Sequence, residues 1–219
     1  MVITIDGPAG SGKSSVAKIL ADKLDFYYLN TGLLYRAVAF VWLKLNKSLE
    51  DAKNLSKEDL SFIEEIKYEF ENKKAKVFYD NKNITGELYN ITLSKPASIL
   101  SANKEIRANL LGLQRKVAEK YDIVADGRDC GSVIFPNADY KFYLTAGIDV
   151  RAKRIFNDEA RQGKVKSPEK LKVELEERDL RDKNRKVSPL IVPKDAIVID
   201  NSNLNLDQTV EKFLNFIKK

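Results

Sequence analysis

The chain has no histidine, a single cysteine (Cys130), one methionine and one tryptophan among 219 residues. Without histidine there is no Ser-His-Asp triad and no imidazole metal ligand. One cysteine excludes an internal disulfide and any cysteine-rich zinc site. No apolar run approaches the roughly 18 residues that cross a bilayer. The N-terminal stretch MVITIDGPAG lacks the basic, apolar and small-residue order of a secretory signal. These absences set the expectation of a cytoplasmic protein with no membrane partner. Hydrophobic residues make up 43% and charged residues 32%, a soluble globular balance. The length suits one substantial core, with room for an insertion. No repeat or low-complexity tract interrupts it.

What the chain does carry is positive charge. The formal net charge is +6, and residues 151 to 187 hold 13 Lys/Arg against 8 Asp/Glu. A basic segment points to a polyanionic partner: nucleic acid, a membrane surface or the phosphates of a small ligand. Composition does not choose among them. Within this segment ERDLRDKNR (177 to 185) reads either as a solvated helix face or as one wall of a site.

Periodicity organises the rest. VITID (2 to 6) reads as a buried strand, and Val16, Ile19, Leu20 and Leu24 follow at helical spacing. FYYL (26 to 29), DIVADG, KFYLT (141 to 145) and AIVID (196 to 200) are further strands. Helices are expected through LLYRAVAFVWLKL and over 104 to 120, 150 to 162, 168 to 184 and 207 to 218. Apolar strands alternating with helices predict an α/β fold with a parallel sheet covered on both faces. KYEFE and KVFYD break the rhythm with period-two alternation around a Lys/Asn-rich turn, an antiparallel hairpin within an insertion at about 63 to 92. Tyr27, Tyr28, Phe40 and Trp42 are expected to pack in the core rather than stack on a base.

GPAGSGKS (7 to 14) fits the phosphate-loop pattern in its proper setting, after a strand and before a helix. Gly7, Gly10 and Gly12 let backbone N–H groups face a phosphate. Lys13 adds charge, Ser14 offers a hydroxyl to Mg²⁺, and the helix N-terminus contributes its partial positive charge. The motif implies a bound nucleotide triphosphate but leaves the fate of the γ-phosphoryl open. No N-K-x-D stretch argues for a GTPase. Instead NTGLLYR puts Arg36, and ADGRDCG puts Arg128, just beyond strand ends, where ligands of open α/β sheets sit. Together they suggest a clamp for a second phosphate. Phosphoryl transfer onto a phosphate oxygen needs alignment and charge neutralisation rather than a strong base, so the missing histidines are no obstacle. Asp126 and Asp129 are candidates to orient Mg²⁺-bound water or the acceptor. The rival reading of Asp126 is a cap on the following turn.

GPAGSGKSS, NTGLLYR, DGRDCGSVIFP and ERDLRDKNRKVSPL, in that order over nearly the whole chain, resemble the bacterial cytidylate kinase family. The resemblance implies a P-loop nucleoside monophosphate kinase fold, with a five-stranded parallel sheet, an acceptor-binding insertion at 63 to 92 and a lid at about 155 to 168. The core would then be 1 to 62 and 93 to 219. It implies transfer from MgATP to CMP or dCMP in pyrimidine nucleotide metabolism. The donor would be held by Gly7, Pro8, Ala9, Gly10, Ser11, Gly12, Lys13, Ser14 and Ser15, with Ser14 the metal ligand. By matching position, Thr31, Arg36 and Arg128 are implied contacts to acceptor phosphate and sugar. Ser98, Arg107, Asp129 and Arg185 would surround the cytosine, and Arg178 and Asp182 would contact the ribose. Arg151, Arg154 and Arg161 fall in the lid-like helix-loop-helix, and Arg154 is expected at ATP. Lys13, Arg36, Asp126 and Arg128 are the expected catalytic set.

Asn30, where an Asp is usual, receives no role. Thr31 replaces the commoner Ser, and Lys183 stands where a small polar residue is usual. On a helix Arg178, Arg181, Asp182 and Arg185 share a face about 100° wide. Glu177, Asp179 and Lys183 then point to solvent. The rival from another class is a P-loop switch that uses its basic segment on RNA. Within the kinases, UMP or AMP is the nearest alternative acceptor. A monomer is expected, with no nucleic-acid partner.

Overall fold

In the computed structural model, which describes residues 1–53, 55, 58–161 and 167–217, the run VITID forms the central strand β1 (Val2–Asp6). The chain continues through α1 (Lys13–Leu24), β2 (Tyr27–Asn30) and α2 (Thr31–Lys44). Next come a small antiparallel sheet, α3 (Ser94–Leu100) and α4 (Lys104–Lys120). The remaining elements are β6 (Ile123–Gly127), β7 (Tyr140–Thr145), α5 (Ile148–Arg161), α6 (Pro168–Asn184), β8 (Ile197–Asp200) and α7 (Leu206–Ile217). The five-stranded sheet has the order β2-β6-β1-β7-β8, and every pair is parallel. β1 therefore sits between strands more than a hundred residues downstream. All strands end at one edge, so the turns after Asp6, Asn30, Gly127 and Thr145 gather there.

Alternation along the strands sends side chains to opposite faces, and each face has its own core. Ile3, Ile5, Val124, Phe142 and Leu144 pack on Val16 and Leu20 of α1 and on Phe213 of α7. Ile123 and Ala125, one step out of phase with Val124, pack with Leu34, Trp42, Ile106 and Leu110 on the other face. Helix ends follow local chemistry. Asn103 caps α4 by accepting from the N–H groups of Glu105 and Ile106, and Ser167 caps α6 ahead of Pro168.

The predicted hairpin is present as β3 (Lys67–Glu71) and β4 (Lys74–Tyr79), joined by Asn72 and Lys73, both at positive φ as a two-residue hairpin loop requires. A third short strand, β5 (Lys82–Asn83), was not legible in the pattern. The small sheet has no separate core: Tyr68, Val77, Ile84 and Leu88 belong to the same cluster as Trp42. α3 was not anticipated either; its Pro96 lies in the first turn, where a missing N–H costs no helical bond. Of the lid segment expected at 155 to 168, residues 162–166 lie outside the described residues, as does the Arg161 side chain. Among the described residues no helix is long and apolar enough to cross a membrane.

Candidate active site

The turn after β1 is built by glycine. Gly7 has φ 151°, and a Cβ there would meet the Leu144 carbonyl oxygen at 2.0 Å. Gly12, at φ 88°, sets the first turn of α1. Lys13, 5% exposed, donates from Nζ to the Pro8 carbonyl at 2.8 Å. Burial and the nearby Arg128 charge hold its pKa well below the ordinary lysine value. Ser14 Oγ donates to Asp126 Oδ2 at 2.7 Å, across 112 residues of sequence. Asp126 is thus not a turn cap. Tyr28 Oη donates to its other oxygen, also at 2.7 Å, and burial raises that phenol well above its ordinary pKa.

Two cavities meet at this loop. One, of about 450 Å³, is lined by Gly12, Ser14, Ser15, Arg154, Asn201 and Asn205. Arg154 is held there by Ser11 O at 3.2 Å and by Asn201 Oδ1 at 3.0 Å. The other, of about 330 Å³, is lined by Lys13, Arg36, Arg107, Arg128, Arg178 and Arg185, with only Asp126, Asp129 and Asp182 as carboxylates. The cavities share Gly10, Lys13, Ser14 and Ile155. In the cationic cavity Arg128 Nε donates to Asp182 Oδ2 at 2.8 Å. The neighbouring arginine charges hold Asp182 below the ordinary carboxylate pKa against its burial. Burial together with the nearby Arg128 charge lowers the Arg178 pKa to about 10. Asp129 pairs with Arg107 and lies 3.6 Å from Arg185. Arg107 also sits over the Tyr35 ring at 5.1 Å. Arg36 reaches the cavity from α2, held by the Leu88 and Asn90 carbonyls and Ser94 Oγ. Ser98 Oγ, Arg107 Nε and Arg178 Nε are buried without a hydrogen-bond partner among the described residues. Such groups are costly unless a polar ligand satisfies them.

Most residues singled out in the sequence converge here. Thr31 lines the cavity with its hydroxyl tied to the Asp126 carbonyl at 2.7 Å. Several expectations change. The Asp129 carboxylate is engaged by Arg107 and Arg185 within the cationic cavity. Asp179 is buried rather than solvated, because α6 packs that flank on α5 and pairs it with Arg151 at 2.8 Å. Arg151 also donates to the Ala146 and Ala9 carbonyls, both at 3.0 Å, so its guanidinium is committed to the protein rather than to a nucleotide. Arg181 is exposed, 3.9 Å from Glu177, and Arg185 lies just past the helix end in extended backbone. The cavity face of α6 is therefore narrower than the four-residue stripe. Tyr28 packs as expected, but its hydroxyl belongs to the site.

Asp6 was missed altogether. Fully buried at the end of β1, its carboxylate accepts from the N–H groups of Cys130 (2.8 Å) and Gly131 (2.7 Å), fixing the loop after β6. Burial raises its pKa from the ordinary 3.8 to about 6 despite those two bonds. Between these values the folded chain keeps a proton that the unfolded chain has lost, so raising pH through this window weakens folding. Against Asp6→Asn, which does not titrate, the parent's stability should fall by about 2 kcal/mol from pH 4 to pH 7. Urea denaturation of both proteins across that range measures it, and a pH-independent difference would contradict it.

Fold and site together define a P-loop kinase. Two solved structures share the fold at low identity: an uncharacterized protein from Eubacterium ventriosum (TM-score 0.54, 16% identity, 100% of this chain and 99% of that one) and shikimate kinase from Bacteroides thetaiotaomicron (TM-score 0.50, 13% identity, 100% and 99%). Sequence relationships are far closer. The family model described as cytidylate kinase matches residues 3–219. The cytidylate kinase of Caldanaerobacter subterraneus subsp. tengcongensis is 39% identical over 99% of this chain and 94% of its own length. That of Ligilactobacillus salivarius is 37% identical over 99% and 96%. The chain belongs to the cytidylate kinase family, and it is an enzyme that phosphorylates CMP.

Proposed function

We propose that the cavity at Ser15, Arg154 and Asn201 receives ATP and that the cationic cavity receives CMP or dCMP, yielding ADP and CDP or dCDP. The observation that carries this reading is the meeting of the two cavities at Lys13 and Ser14, with six cations against three carboxylates on the acceptor side. Two phosphate groups brought together there find their repulsion offset by protein charge. The acceptor is already largely dianionic at neutral pH, so no base is needed, and alignment by Lys13, Arg36, Arg128 and Arg178 carries the rate.

The donor set fits Mg²⁺. Ser14 and Asp126 supply one hydroxyl and one carboxylate, the sparse protein contribution usual for a cation that keeps waters and takes phosphate oxygens. When bound, Mg²⁺ neutralises charge on the transferring phosphates. Thr31, Ser98, Arg107, Asp129, Arg178, Asp182 and Arg185 hold the acceptor, with the insertion at 63–92 buttressing that side through Arg36. The enzyme acts as a cytoplasmic monomer without a nucleic-acid partner.

A coupled assay with MgATP against CMP, dCMP, UMP and AMP tests the reading. CMP and dCMP should give the highest kcat/KM, whereas hydrolysis stimulated by RNA would favour a nucleic-acid switch. Asp182→Asn keeps the side-chain size but removes the charge that faces Arg128. We expect kcat/KM for CMP to fall about 10- to 150-fold, as for a lost charge-assisted hydrogen bond, with KM for ATP near the parent value. Equal losses on both substrates would argue against an acceptor role.

A further inference from the structure

Asp126 is held more firmly than its chemistry alone explains. Its carbonyl accepts from Thr31, one carboxylate oxygen accepts from Ser14, and the other accepts from Tyr28 at 2.7 Å. Tyr28 lies on β2, two residues before the strand ends, and its ring packs against the cluster built on α1, β1 and β7. Tyr28 is not itself among the residues that line either cavity. It reaches the site through its phenol, which donates to the cavity-lining Asp126.

The torsion of an aspartate carboxylate is broad, with two nearly equivalent settings, so one hydrogen bond to Ser14 leaves it free to turn. A second donor on the opposite oxygen, delivered from a neighbouring strand of the same rigid sheet, removes that freedom. We infer that Tyr28 is a positioning residue for the metal end of the donor site, fixing through Asp126 the oxygen presented beside Ser14. This rests on the placement of Mg²⁺ at Ser14 and Asp126 proposed above. It predicts a residue whose loss is felt by the metal and not by CMP.

The experiment measures Mn²⁺ binding by electron paramagnetic resonance, on the full chain with ADP present. It compares the parent with Ser14→Ala, Tyr28→Phe and Tyr28→Leu. CMP affinity without metal and the thermal midpoint are recorded alongside. Tyr28→Phe keeps the ring and loses only the hydroxyl, so Mn²⁺ should bind roughly 10- to 100-fold more weakly, the range for lost outer-shell partners of a metal ligand. CMP affinity should stay within about twofold and the midpoint should be little changed, since the ring contacts survive. Tyr28→Leu should match Phe in Mn²⁺ affinity while lowering the midpoint, because it removes ring packing as well. Mn²⁺ binding by Tyr28→Phe within twofold of the parent, with Ser14→Ala weakened, would overturn the role of Tyr28 alone. Unweakened binding by Ser14→Ala would remove the metal placement and the inference with it.

Discussion

Lys13→Met should lose turnover by 10²-fold or more and keep or gain stability. The activity loss follows from removing a cation aimed at the point where the two cavities join, where charge on the transferring phosphoryl group must be offset. The stability result follows from the surroundings of Lys13. Its ammonium is almost fully buried, it donates to the Pro8 carbonyl, and its charge is opposed by Arg128. A neutral side chain of similar length relieves that repulsion and leaves one carbonyl to water or to the loop. This is the pattern of a site that spends stability for function. Initial rates and a thermal melt of the one variant decide it. Turnover within tenfold of the parent would remove Lys13 from the chemistry. A midpoint several degrees below the parent would make it a structural residue instead.

Asp129→Ala should be the opposite case, costing both fold and acceptor binding. Asp129 is 2% exposed and is the anion for two guanidiniums, Arg107 and Arg185, which are 6% and 9% exposed. Removing one partner of a buried pair typically costs about 3–5 kcal/mol, because the charge left behind has neither water nor counter-ion. For a chain of this size that corresponds to a fall in midpoint on the order of 10 °C. CMP should also bind far more weakly, since both arginines line the cavity and would turn away from each other. Saturating CMP should recover less stability in the variant than in the parent. A surface control, Asp149→Ala, removes the exposed partner of Lys172 and should leave the midpoint unmoved. If Asp129→Ala behaved like that control, the arginines would have to be satisfied elsewhere.

The same contrast separates what could be read early from what could not. The P-loop was legible because its chemistry is local: two glycines, one lysine and one serine at fixed places within eight residues carry the pattern. Arg178 and Asp182 were legible by helical arithmetic, and both do face the cavity. The same arithmetic failed at Asp179 and Arg181, because a helix angle says which residues share a face and not which neighbour covers it. α5 buries Asp179 through Arg151, while among the described residues nothing comparable covers Arg181.

Asp6 and Tyr28 carried no signal at all. An acid at a strand end and a tyrosine in an apolar run are ordinary residues until β6 is inserted beside β1 and β2. By itself the sequence determined the alternation of strands and helices, the phosphate loop and the family, because periodicity, glycine spacing and ordered motifs are properties of neighbouring residues. Only the tertiary structure decided that Ser14, Tyr28 and Asp126 form one unit, that Asp129 is the shared anion of Arg107 and Arg185, and that Arg151 is a strut. Those pairings span tens to more than a hundred residues. They are chosen by which arrangement buries both sheet faces while giving each buried charge a partner, a condition on the whole chain that no short stretch contains.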